Sequence, residues 1–150
     1  MKKVKPLVAM GIFGCLMLSA LTGCVSTPKP TPEQFIERSA ASLHKGQWVE
    51  AMGWASVAIS SGPERWEPYV SRARAYCELG YYDKAIEDCH KALEVDPNNG
   101  AAYNNRGMAY QKKGDYDRAK DSYNKACDVG LAIGCNNLNL LMGDLVSKPK

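Results

Sequence analysis

Histidine and phenylalanine are scarce in this chain of 150 residues, two of each. The histidines, His44 and His90, lie far apart, and Cys77, Cys89, Cys127 and Cys135 show no Cys-x-x-Cys interval of the kind a zinc site uses, so neither a metal nor a cofactor is expected. There is no phosphate loop, no dinucleotide glycine pattern and no paired general acid and base. Charge of one sign is also missing once the first residues are set aside. Lys2, Lys3 and Lys5 supply the whole basic excess, residues 1–23 hold no acid, and the remainder carries 16 groups of each sign. A neutral domain offers no basic face to displace counterions from phosphates, which argues against nucleic acid as a partner.

What is present begins with a targeting segment. A lysine-rich start leads into an apolar run from Leu7 to Leu21, which is shorter than a membrane-spanning helix needs. The run ends in Leu21-Thr22-Gly23-Cys24. This tetrad resembles the bacterial lipobox, and the resemblance implies that residues 1–23 are a lipoprotein signal peptide and that Cys24 carries the lipid. Several acyl chains anchor stably because each buried methylene contributes about 0.8 kcal/mol. Val25 stands where an Asp would mark retention in lipoprotein sorting. The resemblance therefore implies a protein of the bacterial envelope, held at the outer membrane and facing the periplasm. Residues 24–31 form the lipidated start and a tether, since Pro28, Pro30 and Pro32 alternate as in an extended polyproline spacer.

From Pro32 onward the chain superposes on itself at a period of 34. Tyr69 falls on Tyr103, Arg72 on Arg106, Tyr76 on Tyr110, Gly80 on Gly114, Tyr82 on Tyr116, Ala85 on Ala119 and Ala92 on Ala126. A more degenerate earlier copy places Phe35, Gly46, Trp48, Ala51 and Ala58 in the same frame. Fixed-period similarity of this kind marks a repeat architecture. Within each copy, small and apolar residues recur at helical spacing on both sides of a glycine-containing break, which reads as two helices and a turn. Pro97 ends the second copy because it cannot continue a helix; in the third copy Leu131 stands where that proline is expected.

The period, paired small residues, aromatic positions, turn glycine and closing proline resemble the tetratricopeptide repeat (TPR). The fold that follows is all-α, a solenoid of helical hairpins with three repeats at 32–65, 66–99 and 100–133, closed by a capping helix and tail over 134–150. A stack leaves an apolar face at its last repeat, and Leu138, Leu141, Met142 and Leu145 have the spacing to cover it with a polar back outward. Cys127 and Cys135, with seven residues between them, also resemble the Sel1-like repeats, in which two such cysteines bridge neighbouring helices. That resemblance implies a Cys127–Cys135 disulfide, and an exported chain meets the oxidising environment in which it persists. Cys89 takes the slot of Tyr123 and reads as a small core residue, Cys77 as a residue of the inner surface. A Cys77–Cys89 bridge is the alternative, although the two point different ways.

Two Ser-x-x-Lys sequences, Ser42 to Lys45 and Ser122 to Lys125, match the nucleophile motif of penicillin-recognising enzymes. Both lie in or at the ends of repeat helices and no Lys-Thr-Gly follows, so catalysis is not expected. Acidic pairs such as Glu87-Asp88 are expected on solvated outer faces. What remains is binding. The TPR resemblance places Ile36, Ala40, Leu43 and His44 in the inner groove of the first repeat, Val70, Arg74, Cys77 and Glu78 in that of the second, and Asn104, Met108, Gln111 and Lys112 in that of the third. Relatives that clamp a terminal carboxylate do so with lysine, asparagine and further basic residues; Arg74, Asn104 and Lys112 reproduce that set only loosely. The expected function is a membrane-anchored adaptor that holds a protein or peptide in envelope assembly, of pilus, outer-membrane or cell-wall machinery. An enzyme, or a Sel1-like regulator of cell-wall enzymes, is the second reading.

Overall fold

Four glycines set the rhythm of the chain. Gly46, Gly80, Gly114 and Gly130 have φ of 71°, 84°, 87° and 87°, the left-handed conformation that a side chain disfavours. Each closes a helix in the same way: the glycine N–H donates to the carbonyl three residues back, and the next N–H reaches the carbonyl five residues back, as in Gly114 to Gln111 (3.0 Å) and Asp115 to Tyr110 (2.9 Å). This is the Schellman arrangement, which satisfies the open carbonyls of the last turn.

The computed structural model describes residues 29–147; the signal segment and Cys24 lie outside the described residues. Seven helices follow in order, α1 (Pro32–His44), α2 (Trp48–Ser61), α3 (Glu67–Glu78), α4 (Tyr82–Val95), α5 (Gly100–Lys113), α6 (Tyr116–Asp128) and α7 (Ala132–Ser147). Their starts carry chemical signals. Pro32 opens α1, Asn99 accepts the Ala102 N–H of α5 at 2.9 Å, and Asp115 accepts that of Arg118 in α6 at 3.1 Å, each side chain satisfying a donor that the helix itself leaves open. None of the described helices is long and apolar enough to cross a membrane.

Successive helices pack as hairpins, and α1, α3, α5 and α7 also touch one another in sequence while the even-numbered helices do not. The odd helices therefore form a continuous inner layer, with α2, α4 and α6 splayed outside it. Alanines make this approach close: Ala51, Ala85 and Ala119 recur at one helix contact and Ala58, Ala92 and Ala126 at another, all essentially without solvent exposure. Gly107 adds to it, because a Cβ there would stand 2.6 Å from the Tyr123 ring.

A second ladder runs through the repeats. Arg38, Arg72 and Arg106 are 34 residues apart, and each meets the residue 16 positions further on: Arg38 lies over the Trp54 ring at 4.9 Å, Arg72 grips both oxygens of Asp88 at 2.7 and 2.8 Å, and Arg106 donates to Ser122 Oγ at 3.1 Å. Asp88 thus corrects the expectation of a solvated acidic pair: Glu87 is exposed, but Asp88 is buried. Hydrogen bonding to Asp88 raises the Arg72 pKa, although burial pushes the Asp88 carboxyl above its ordinary range. The bidentate hydrogen bonds from Arg72 oppose that rise.

Helix α7 begins at Ala132, two residues ahead of the expected cap. Three residues join it to α6, whereas four join α4 to α5, because the link reuses the glycine turn found inside the repeats in place of a proline loop. Cys127 and Cys135 are joined in a disulfide across this turn, with Cα atoms 4.7 Å apart. Leu141 is buried against Tyr110, Ala119 and Tyr123, with Leu138 beside it. The outward side of α7 is mixed and not wholly polar: Asn136 and Asn139 are exposed beside Leu140, 66% exposed, and Val146, 83% exposed.

Candidate functional site

The concave side of the inner layer opens into a cleft of about 640 Å³ between α3, α5 and α7. Arg74 contributes from α3; Met108, Gln111 and Lys112 from α5; Tyr116 and Tyr123 from α6 behind them. The opposite wall is a single stripe of α7, Ile133, Asn137, Leu141, Asp144 and Leu145, whose spacing of about one helical turn puts them on one face.

The polar groups of the cleft are tied to one another. Glu78 accepts from Arg74 Nε at 3.1 Å and from Lys112 Nζ at 3.0 Å. Burial opposes ionisation of the Glu78 carboxyl, but the Lys112 hydrogen bond and the two cations outweigh it and hold the group below its ordinary range. Asn137 donates to Asn104 Oδ1 at 2.8 Å, joining α7 to α5. Tyr123 donates to Gln111 Oε1 at 2.7 Å, and burial pushes its phenol up to about 12.

Of the twelve groove residues expected from the sequence, Arg74, Met108, Gln111 and Lys112 line this cleft, and Glu78 pairs with two of them. Two are corrected. Cys77 is buried, its thiol directed at the Asn105 carbonyl 3.7 Å away, and burial raises it to about 11; it lies beneath the inner surface, where a protonated thiol is inert. Asn104 is likewise buried, because α7 covers it. Val70 packs half-buried against Tyr69, Ala92 and Ala102. Ile36, Ala40 and Leu43 are half-buried on α1 and His44 is exposed at its end, away from the cleft. Among the described residues the free thiols, Cys77 and Cys89, are both buried. Ser42 and Ser122 are buried too, the second under Arg106, so neither serine of the Ser-x-x-Lys sequences faces solvent.

The α7 wall escapes a reading at fixed period. A shift of 33, one short of the repeat, sets Asn137, Leu141, Asp144 and Leu145 opposite Asn104, Met108, Gln111 and Lys112. The shorter link before α7 accounts for the missing residue.

Residues 73–114 match the family described as TPR repeat, and residues 100–129 match the tetratricopeptide repeat. Residues 73–129 carry tetratricopeptide repeats. No curated protein matches it. Among solved structures, the TPR domain of Arabidopsis OM64 is similar at 27% identity, with a TM-score of 0.69 over 73% of this chain and 93% of that one. The TPR2B domain of yeast Sti1, in a pHsp70 complex, is similar at 26% identity and a TM-score of 0.67, covering 73% of this chain and 91% of its own. The second TPR domain of human RPAP3, in complex with the HSP70 peptide SGPTIEEVD, shares 20% identity and a TM-score of 0.66 over 74% of this chain and 98% of its own; at that identity it shows the fold alone. The TPR fold is a scaffold for protein interaction, and in this chain α7 extends the inner layer of the third repeat by one helix.

Proposed function

We propose that this chain is a lipid-anchored adaptor of the bacterial envelope, which holds a peptide or an extended segment of a protein in the cleft between α3, α5 and α7. The observation that carries the reading is the cleft itself, a concave site of a size that takes a few side chains, built by the inner helices of a TPR stack. The complex of the yeast Sti1 TPR2B domain with pHsp70 supports the same use of the fold. The tetrad Leu21-Thr22-Gly23-Cys24 supports the anchor, and the absence of Asp after Cys24 supports the outer membrane. Anchor, tether and cleft together make a device for keeping a partner near a bilayer.

Crosslinking in the native envelope through a photoreactive residue at position 108, followed by mass spectrometry, tests the adaptor. A discrete protein partner, lost in competition with an unlabelled peptide from that partner, is expected; recovery of lipid or peptidoglycan alone would refute it. For the anchor, Cys24→Ser should leave the chain unprocessed or free of membranes, and unchanged maturation and membrane fractionation would sink that part.

A further inference from the structure

We propose that the cleft selects a neutral, apolar segment of its partner, and that Glu78 is the residue that turns an acidic segment away. The inference rests on the peptide-binding reading above and adds the chemistry of the peptide.

The cations that would receive a carboxylate are already engaged. Arg74 and Lys112 come from different helices, yet both converge on the one carboxylate of Glu78, at 3.1 and 3.0 Å. Asn104, the third polar residue of that side, is buried and holds Asn137. Counting the charged side chains around the cavity, Arg74 and Lys112 are balanced by Glu78 and by Asp144 on the facing wall. An incoming carboxylate would therefore meet a neutral cleft, and it would sit against Glu78 at the point where the cations are concentrated. Like charges so placed disfavour binding strongly.

The remaining surface is of the opposite character. Met108 sits on one side, with Arg74 and Asn104 directed at its sulfur at 3.9 and 3.7 Å, so the thioether is fixed in place. Facing it, α7 offers Ile133, 51% exposed, Leu145, 37% exposed, and the edge of Leu141. An apolar side chain entering here removes this surface from water, which is the favourable term the cleft has to give. Gln111 and Asn137 flank it with amides suited to a peptide backbone.

The test uses the folded mature protein with the cysteine bridge intact. End-blocked neutral decapeptides, each with two leucine or phenylalanine residues, are compared with acidic decapeptides that keep a free terminal carboxylate. Wild type should retain the apolar set over the acidic set by about tenfold, and Glu78→Gln, which keeps the shape and removes the charge, should raise acidic retention about tenfold while leaving apolar retention nearly unchanged. Leu145→Ser should lower retention of the apolar set alone. Wild-type helical content and a cooperative melt above the assay temperature confirm that each variant is folded. Equal or better retention of acidic peptides by wild type, or an unchanged preference in Glu78→Gln, overturns the proposal while leaving peptide binding in place. Retention of neither set by any of the three proteins overturns the peptide-binding reading and this proposal with it.

Discussion

Gly134 and Gly143 stand on the same helix and should respond in opposite directions to the same substitution. At Gly134 an added Cβ would lie 2.5 Å from the Cβ of Ala126 and 3.1 Å from backbone atoms of Ala126 and Cys127. Backbone cannot rotate aside, and the Cys127–Cys135 bridge fixes α7 to α6 next to the clash, so α7 must lift by about an ångström to restore ordinary contact. Overpacking of this kind costs about 1–3 kcal/mol, and the better helix propensity of alanine returns at most about 1 kcal/mol. The net expectation for Gly134→Ala is a loss of about 1–2 kcal/mol, or roughly 3–10 °C in Tm for a domain of this size. At Gly143 nothing lies within 4 Å of the new Cβ, so only the propensity gain remains and Gly143→Ala should raise Tm by a few degrees.

Thermal melts followed by circular dichroism, with urea titrations to separate stability from compactness, decide the matter. The reasoning fails where Gly134→Ala melts at or above the wild-type temperature, or where both variants shift the same way. Because Ile133, Asn137, Leu141 and Leu145 ride on α7, Gly134→Ala should also weaken peptide retention, and Gly143→Ala should not.

Reduction of the Cys127–Cys135 bridge, or its replacement by two serines, should cost about 2.5 kcal/mol for a loop of eight residues and raise hydrogen exchange first in α7; unchanged melting under reductant would contradict this. Asp88→Ala should cost about 2–3 kcal/mol because it strips the half-buried Arg72 of both charged hydrogen bonds, while Glu87→Ala, on the exposed neighbour, should change stability by less than about 0.5 kcal/mol; equal effects in urea titration would refute the pairing. The Glu78 carboxyl has its pKa lowered in the folded chain, so its contribution is complete above the ordinary value of 4.5 and disappears as pH falls through the lower folded value. The Tm difference between wild type and Glu78→Gln should therefore be present at neutral pH and fade only below that range, and a difference independent of pH would exclude the ion pairs as its cause.

Much of the fold is legible in the sequence because its determinants are local and repeat. Ala85 and Ala119, Gly80 and Gly114, and Tyr76 and Tyr110 each state a packing requirement twice, so the hairpins and the helix contacts can be read without coordinates. The Arg72–Asp88 pair is less legible. Arg72 recurs as Arg106, but its counterparts across the hairpin are Trp54, Asp88 and Ser122, three different ways of satisfying one guanidinium, and no single residue type betrays the position. The burial of Cys77 and Asn104 is hard to read for another reason. A helix of the inner layer exposes only the face left over by its neighbours, and α7 and α5 cover more of that face than the period alone indicates.

Helix α7 also shows why stability and binding should be harder to separate here than in the middle of the stack. In α4 and α5 the residues that hold the helices together, Ala85 and Ala109, are fully buried and do not line the cleft, which takes Met108, Gln111 and Lys112 from α5. In α7 one side of the helix serves both purposes. Leu141 is buried in the core cluster and still edges the cleft, Gly134 sets the distance to α6, and Asn137 links the wall to Asn104. Among the described residues the wall is a single helix that leans on α6 and α5 alone, so fraying of this terminal helix would open the cleft. The disulfide lies at the base of that helix, where a constraint on fraying acts most directly on the cleft. Such a bond persists in an oxidising compartment, which is where the proposed envelope location would put the chain, so under that proposal the constraint on α7 is maintained where the cleft is to work.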